Sequence, residues 1–142
     1  MAKHVSKVKK IPTGYHSATP YLIVDGAERA LDFYTRAFNA KELMRVPALG
    51  HRIGHAEIKI GDSVIMLADE HPEIQARGPQ HYGGSPVSIL LYVDDVDSLF
   101  RQAVAAGRPR RDQWPTSSTA TARAASRIPS ATTGISRLTR KT

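Results

Sequence analysis

Residues 21–40, with the sequence YLIVDGAERALDFYTRAFNA, decide the fold of this chain. The first four are apolar and favour a β-strand, and Asp25 follows at a position suited to a helix N-cap. Glu28, three residues later, completes an acidic capping box. Apolar residues then recur at helical spacing on one side while charged residues take the other. Asn39 tolerates the left-handed conformation that closes a helix, so the stretch predicts a strand followed by a capped amphipathic helix.

A similar sequence pattern occurs again at residues 90–107, LLYVDDVDSLFRQAVAAG. It again predicts a strand, then an acidic N-cap at Asp94 or Asp95, then an amphipathic helix that ends at Gly107. Two copies of the same strand–helix pattern indicate an internal duplication, which constrains the fold more than any single motif.

The segments around these two copies predict an α+β fold of paired βαβββ modules, the second one truncated after its helix. Residues 41–46, 51–60 and 63–68 have strand patterns, and Gly61-Asp62-Ser63 suits a hairpin turn. Prolines and glycines after the hairpin favour a mobile linker. The predicted organisation is a flexible arm at 1–17, a domain at 18–107 and a disordered tail at 108–142. Within the domain, module one spans 18–69, the linker 70–85 and the partial module two 86–107.

The charge of the 142-residue chain is unevenly distributed. The formal net charge is +7, yet residues 1–107 hold twelve basic and twelve acidic side chains, so the whole excess lies in the tail. The body therefore lacks the basic surface that nucleic-acid binding requires. The chain has no cysteine, no signal-peptide pattern and no apolar run long enough for a bilayer. These features predict a cytoplasmic protein without disulfides or a membrane span.

Three segments closely resemble the PhnB-like branch of the vicinal-oxygen-chelate superfamily, which includes glyoxalase, bleomycin-resistance and extradiol dioxygenase proteins. They are TPYLIVDGAERALDFYTRAFNAKELMRV, RIGHAEIKIGDSVIMLADE and GGSPVSILLYVDDVD, and they occur in the family's order and spacing within residues 18–107. The resemblance implies paired βαβββ modules that enclose a cleft, commonly in a homodimer.

The metal site of metal-using members of this family is not matched in the sequence. By position, the family's ligands would fall on Thr19, Met66 and Ser88, with the fourth beyond Gly107. Thr, Met and Ser side chains are poor ligands for a borderline or hard divalent ion. We therefore expect no cofactor, and a divalent metal stays an open alternative.

The remaining metal candidates are few. His55 and Glu57 lie two apart on a predicted strand, so both face the same side and are weak candidates for sharing a cation. A polar pair that faces a cavity or solvent is the alternative that we favour. His16 and His51 are further candidates, and His71 and His81 fall in the predicted linker near acidic residues.

The period-two pattern of the strands places one set of side chains on a cleft surface. Such a surface, apolar with a few polar groups, is typical of small-molecule pockets, although the same residues would equally well fill a core or a dimer interface. The ligand-binding candidates are Thr19, Tyr21, His55, Glu57, Met66, Ser88, Leu90 and Tyr92. No catalytic residue can be assigned.

The tail does not match the end of the family, where FYGDR, DPFGH and a Trp are usual. A reading shifted by one frame from Ser117-Ser118 to Lys141-Thr142 is compatible with FYGDRAGSVEDPFGHHWHISTHAED. The segment after about Gly107 is therefore interpreted as an out-of-frame translation. Its Ser, Thr, Ala and Arg content favours disorder.

Three functions remain at this stage. The first is a small-molecule-binding protein of the glyoxalase/bleomycin-resistance type, with its cleft at the module or dimer interface. The second is a metal-dependent lyase, isomerase or dioxygenase of the same superfamily. The third is a nucleic-acid binder that acts through its basic tail, which the balanced charge of residues 1–107 disfavours.

Overall fold

The computed structural model of the protein describes residues 9–107 and, for the backbone alone, residues 135–140. Six strands and two α-helices follow one another in these parts of the chain. They are β1 (Tyr21–Val24), α1 (Ala27–Phe38), β2 (Lys41–Pro47), β3 (Ile53–Ile60), β4 (Ser63–Asp69), β5 (Ile89–Val93), α2 (Val96–Ala106) and β6 (Ile135–Arg140), with a 3-10 turn at Pro72–Ile74 between β4 and β5.

The first module has the predicted βαβββ order. Its four strands form one sheet in the order β1-β4-β3-β2, in which β1 runs parallel to β4 and the other neighbours are antiparallel. This order follows from the hairpin at Gly61, which pairs β3 with β4, and from the crossover through α1, which brings β1 to the far side of β4. The predicted α+β fold is confirmed.

The second module contains β5 and α2 as predicted, and it also contains a strand that the sequence does not predict. The backbone of residues 135–140 forms β6, which pairs parallel with β5. A parallel strand satisfies N–H and C=O groups that the edge of β5 would otherwise leave unpaired. The rest of the predicted disordered tail lies outside the described residues.

The core lies between α1 and one face of the four-stranded sheet. Ala27, Leu31 and Tyr34 of the helix are each at most 2% exposed, and Ile58 and Leu67 of the sheet are fully buried. The apolar residues of α1 recur at helical spacing, so they share one side of the helix, and this side packs against the sheet. Among the described residues, no helix is long and apolar enough to cross a membrane.

The two modules are joined by packing of α1 against α2. Side chains fix this contact at the ends of both helices: the Arg36 guanidinium donates to the carbonyl of Ala106 at 2.8 Å. The amide of Gln102 donates to the side chain of Asn39, also at 2.8 Å. Asn39 itself has φ 55° and closes α1, as the sequence predicts.

The N-cap of α1 is not the one that the sequence predicts. Gly26, with φ 84°, takes the N-cap position, and no side chain within the segment caps the helix. Instead, Asp69 at the end of β4 accepts hydrogen bonds from the backbone N–H groups of Gly26 at 3.0 Å and Ala27 at 2.7 Å. The other oxygen of Asp69 accepts from the N–H of Ile53 at 2.7 Å. Asp25 is exposed, so the prediction of its capping role is wrong.

The N-cap of α2 is local, in contrast. Asp95 caps the helix through a 2.9 Å hydrogen bond from the N–H of Ser98. Of the two acidic candidates in the sequence, Asp95 is therefore the one that caps the helix, because it stands one residue before the first helical turn.

We predict that Asp69→Ala lowers the free energy of unfolding by about 2–3 kcal/mol, since three part-buried backbone donors would lose a charged acceptor. Asp69→Asn, which keeps one acceptor oxygen, should have a smaller effect. Asp25→Ala should stay within about 0.5 kcal/mol of wild type, because its side chain caps nothing. Urea unfolding of the three variants measures these differences, and an equal loss in Asp25→Ala would show that the capping assignment is wrong.

Candidate functional site

The face of the sheet opposite α1, called here the open face, carries four of the eight predicted site residues. Strand register aligns Tyr21 with Met66, Met66 with Glu57, and Glu57 with Met44 across all four strands. His55 lies two residues from Glu57 on the same side of β3, as the period of two predicts. Tyr21, His55, Glu57 and Met66 are thus brought together.

Glu57 is the centre of a hydrogen-bonded chain on the open face. Its carboxylate is buried, at 6% exposure, and accepts from the hydroxyl of Tyr15 and from Nε2 of His55 at 3.1 Å. Because an ionised carboxylate only accepts, His55 carries its proton on Nε2. Its Nδ1 is then the acceptor for the Tyr21 hydroxyl at 2.9 Å, so the donors all point toward Glu57.

The surroundings of Glu57, Tyr15 and Tyr21 shift the pKa values of these three side chains. The hydrogen bond from Tyr15, followed by the hydrogen bond from His55, lowers the pKa of Glu57 below its ordinary value of 4.5 despite burial. The bond to Glu57 in turn raises the pKa of Tyr15. Burial, and then the charge of Glu57, raises the pKa of Tyr21. At neutral pH the open face therefore holds one negative charge that neutral phenols surround.

Tyr15 belongs to the arm that the sequence predicts as flexible and outside the site. Its hydroxyl donates to Glu57, which lies 42 residues further along the chain. Its backbone N–H donates to the carbonyl of Pro12 at 3.1 Å, and this bond forms a turn in the arm. The arm therefore contacts the open face through Tyr15, whereas residues 1–8 are outside the described part of the chain. No sequence pattern signals this contact, because one Tyr in a polar arm has no periodicity.

A cavity of about 910 Å³ opens between β1 and the segment that leads into β5. Tyr21, Ser88 and Leu90 of the predicted residues line it, together with residues that were not predicted from the sequence, among them Arg77, Tyr82 and Val87. Arg77 and Tyr82 fall in the stretch predicted as a linker, whose prolines and glycines give no pattern that would indicate a site. The structure gives this stretch hydrogen-bonded turns of its own.

Five predicted site residues do not line this cavity, and three of them, His55, Glu57 and Met66, lie on the open face instead. Thr19 is half-buried just before β1, and Tyr92 is 71% exposed on β5. Tyr92 shares its side of the strand with Leu90, yet it lies beyond the cavity.

Metal-ligating side chains converge poorly in the described residues. Within 9–107, no group of three His, Asp or Glu side chains is close enough to hold an ion. His55 and Glu57 form a pair, but the second oxygen of Glu57 is taken by Tyr15. His71 lies 3.3 Å from Glu73 on an exposed turn, and His16 and His51 are exposed.

We predict that Tyr15→Phe lowers the urea midpoint at neutral pH and that its difference from wild type shrinks in acid. A carboxyl group whose pKa is lowered by folding stabilises the fold fully above its ordinary value of 4.5, and this contribution is lost as the pH falls through the folded pKa. Unfolding curves from neutral pH to about pH 3 measure the effect.

Tyr82→Phe is the matched control, because Tyr82 is exposed and its hydroxyl makes no hydrogen bond with the described residues. It should leave the midpoint unchanged at every pH. A loss in Tyr15→Phe that is the same at neutral and acid pH would contradict a bond to ionised Glu57.

Comparisons with known proteins agree with this architecture. The sequence model of the Glyoxalase/Bleomycin resistance protein/Dioxygenase superfamily matches residues 14–124. An uncharacterised protein of Mycobacterium bovis is 42% identical over 92 residues, which make up 63% of this chain and 60% of that protein. A Mycobacterium tuberculosis relative has the same identity, over 54% of its length. The chain thus spans less than two thirds of these curated relatives.

Two solved structures share the fold. A gene product of Arabidopsis thaliana superposes with a TM-score of 0.53 at 24% identity, covering 66% of this chain and 74% of that one. A Pseudomonas aeruginosa protein superposes with a TM-score of 0.50 at 24% identity, covering 64% of this chain and 71% of that one. At this identity the likeness concerns the fold alone.

Proposed function

Because the chain belongs to the glyoxalase/bleomycin resistance protein/dioxygenase superfamily, we propose that it binds a small molecule in the cavity between β1 and the segment leading into β5. The observation that carries this proposal is the cavity itself, to which both modules contribute. Tyr21 and Ile23 come from the first module, and Ser88 and Leu90 from the second.

The size and lining of the cavity support this function. Its volume of about 910 Å³ lies within the range of small-molecule sites. Its walls are mainly apolar, with hydroxyl groups from Tyr21, Tyr82 and Ser88. Such walls favour an apolar or amphipathic ligand, whose apolar surface leaves water on binding.

We also propose that the chain is a PhnB-like member that forms homodimers. The PhnB-like assignment rests on the three sequence segments that resemble this branch. The dimer is supported by apolar side chains on and beside β2, which is an edge strand: Met44 is 43%, Val46 45% and Leu49 87% exposed. An exposed apolar patch of this kind beside an unpaired edge suits a second copy of the chain.

The cavity is tested by fluorescence titration with phenylnaphthylamine, an uncharged aromatic probe that brightens in apolar sites. We predict binding to wild type and at least about ten-fold weaker binding to Leu90→Glu, because a carboxylate in the apolar wall must be desolvated. Leu90 is 37% exposed, so the change is compatible with folding.

Tyr92→Glu is the matched control. It places the same charge on the same side of β5, two residues further on, outside the cavity. Its probe affinity should equal that of wild type. Equal weakening of probe binding in both variants, or no binding to wild type, would show that the cavity is not a ligand site.

We propose, in addition, that residues after about Gly107 are translated out of frame, since a shifted reading is compatible with the family's usual ending. Sequencing the gene across codons 107–111 tests this directly. A protein expressed from the restored frame should sediment as a dimer and unfold in one sharp transition, because the family's own last strands would complete the second module. An intact single frame in the gene would overturn the proposal.

A further inference from the structure

Arg77 is the one charged residue that the described part of the chain contributes to the lining of the cavity. Its Nε is buried and has no hydrogen-bond partner among the described residues. No ion pair of Arg77 occurs in that part of the chain either. A buried guanidinium N–H without an acceptor is unfavourable, so this group is suited to an acceptor that arrives with a ligand.

The backbone on both sides of Arg77 is fixed. Ala76 exchanges two backbone hydrogen bonds with His71, at 2.8 and 3.2 Å. The N–H of Gly78 donates to the carboxylate of Glu70 at 2.6 Å. A Cβ at Gly78 would lie 3.3 Å from the carbonyl of Ile23, so this position packs directly against β1. The guanidinium therefore extends from an anchored turn at the end of the first strand.

The nearby carboxylates of Glu70 and Glu73 form no ion pair with Arg77. Glu70 is engaged by the N–H of Gly78. Glu73 is exposed, and its pKa is lowered first by its own backbone N–H and then by the charges of His71, Arg52 and Arg77. Its ion pair is with His71. The positive charge of Arg77 thus stays available at the wall of the cavity.

We propose that Arg77 is the anion-binding residue of this cavity and that the ligand is an organic anion with an apolar body. The inference rests on the proposed function and assigns the class of ligand. A guanidinium binds carboxylate, sulfonate or phosphonate groups through two parallel hydrogen bonds, and a low-dielectric wall strengthens that pairing. Tyr21 and Tyr82 contribute aromatic rings to the same lining, which suits a flat apolar body.

The test compares two probes that share one aromatic body. Anilinonaphthalene sulfonate carries a sulfonate, whereas phenylnaphthylamine has no charge. Arg77→Gln should weaken the sulfonate probe by about ten-fold or more, because it removes the charged donor. It should leave the uncharged probe within about two-fold of wild type, because the apolar walls remain. Arg77→Lys, which keeps the charge and loses the planar fork, should fall between Arg77→Gln and wild type.

Arg101→Gln is the control for charge, since Arg101 is exposed on α2 and lies outside the cavity. It should change neither affinity. Unchanged sulfonate affinity in Arg77→Gln, or equal weakening of both probes, would overturn the anion-binding role and leave the cavity standing. Failure of both probes to bind wild type would overturn the cavity and this inference together.

Discussion

The carboxylate of Asp69 holds the first module together. Its two oxygens accept from the first backbone N–H groups of α1 and from the first N–H of β3, so one side chain joins these two elements to the end of β4. These donors are part-buried at the start of a helix and a strand, where no backbone acceptor is available to them. Satisfying them sets the position of α1 over the sheet, and with it the faces that the strands present.

Tyr21 connects the two polar features of the open face and the cavity. On one side its hydroxyl reaches His55 and, through it, the buried carboxylate of Glu57. On the other side it lines the cavity whose charged group is Arg77. The negative charge is fully hydrogen-bonded within the protein, whereas the positive one has no acceptor among the described residues. This asymmetry favours an anion over a cation as the ligand of the cavity.

Much of the fold could be predicted because the signals are local. The alternation along β3 predicts that His55 and Glu57 lie on one side. In the structure, Nε2 of His55 lies 3.1 Å from the carboxylate of Glu57. The acidic cap at Asp95 and the left-handed Asn39 follow from their positions beside apolar helical repeats. Of the predicted site residues, Tyr21, Ser88 and Leu90 line the cavity, whereas ligand binding by any of the predicted residues stays a prediction.

The amino-acid sequence by itself determined the order of the elements from β1 to α2 and the buried face of α1, because hydrophobic periodicity acts within one turn or one strand. Tertiary structure alone decided that Asp69 caps α1 in place of Asp25, that Tyr15 binds Glu57, and that Arg77 enters the cavity. The cap and the tyrosine contact each join residues 42 apart in the chain. Hydrogen bonds over such separations depend on how strands and turns come together in space, and no local spacing encodes that.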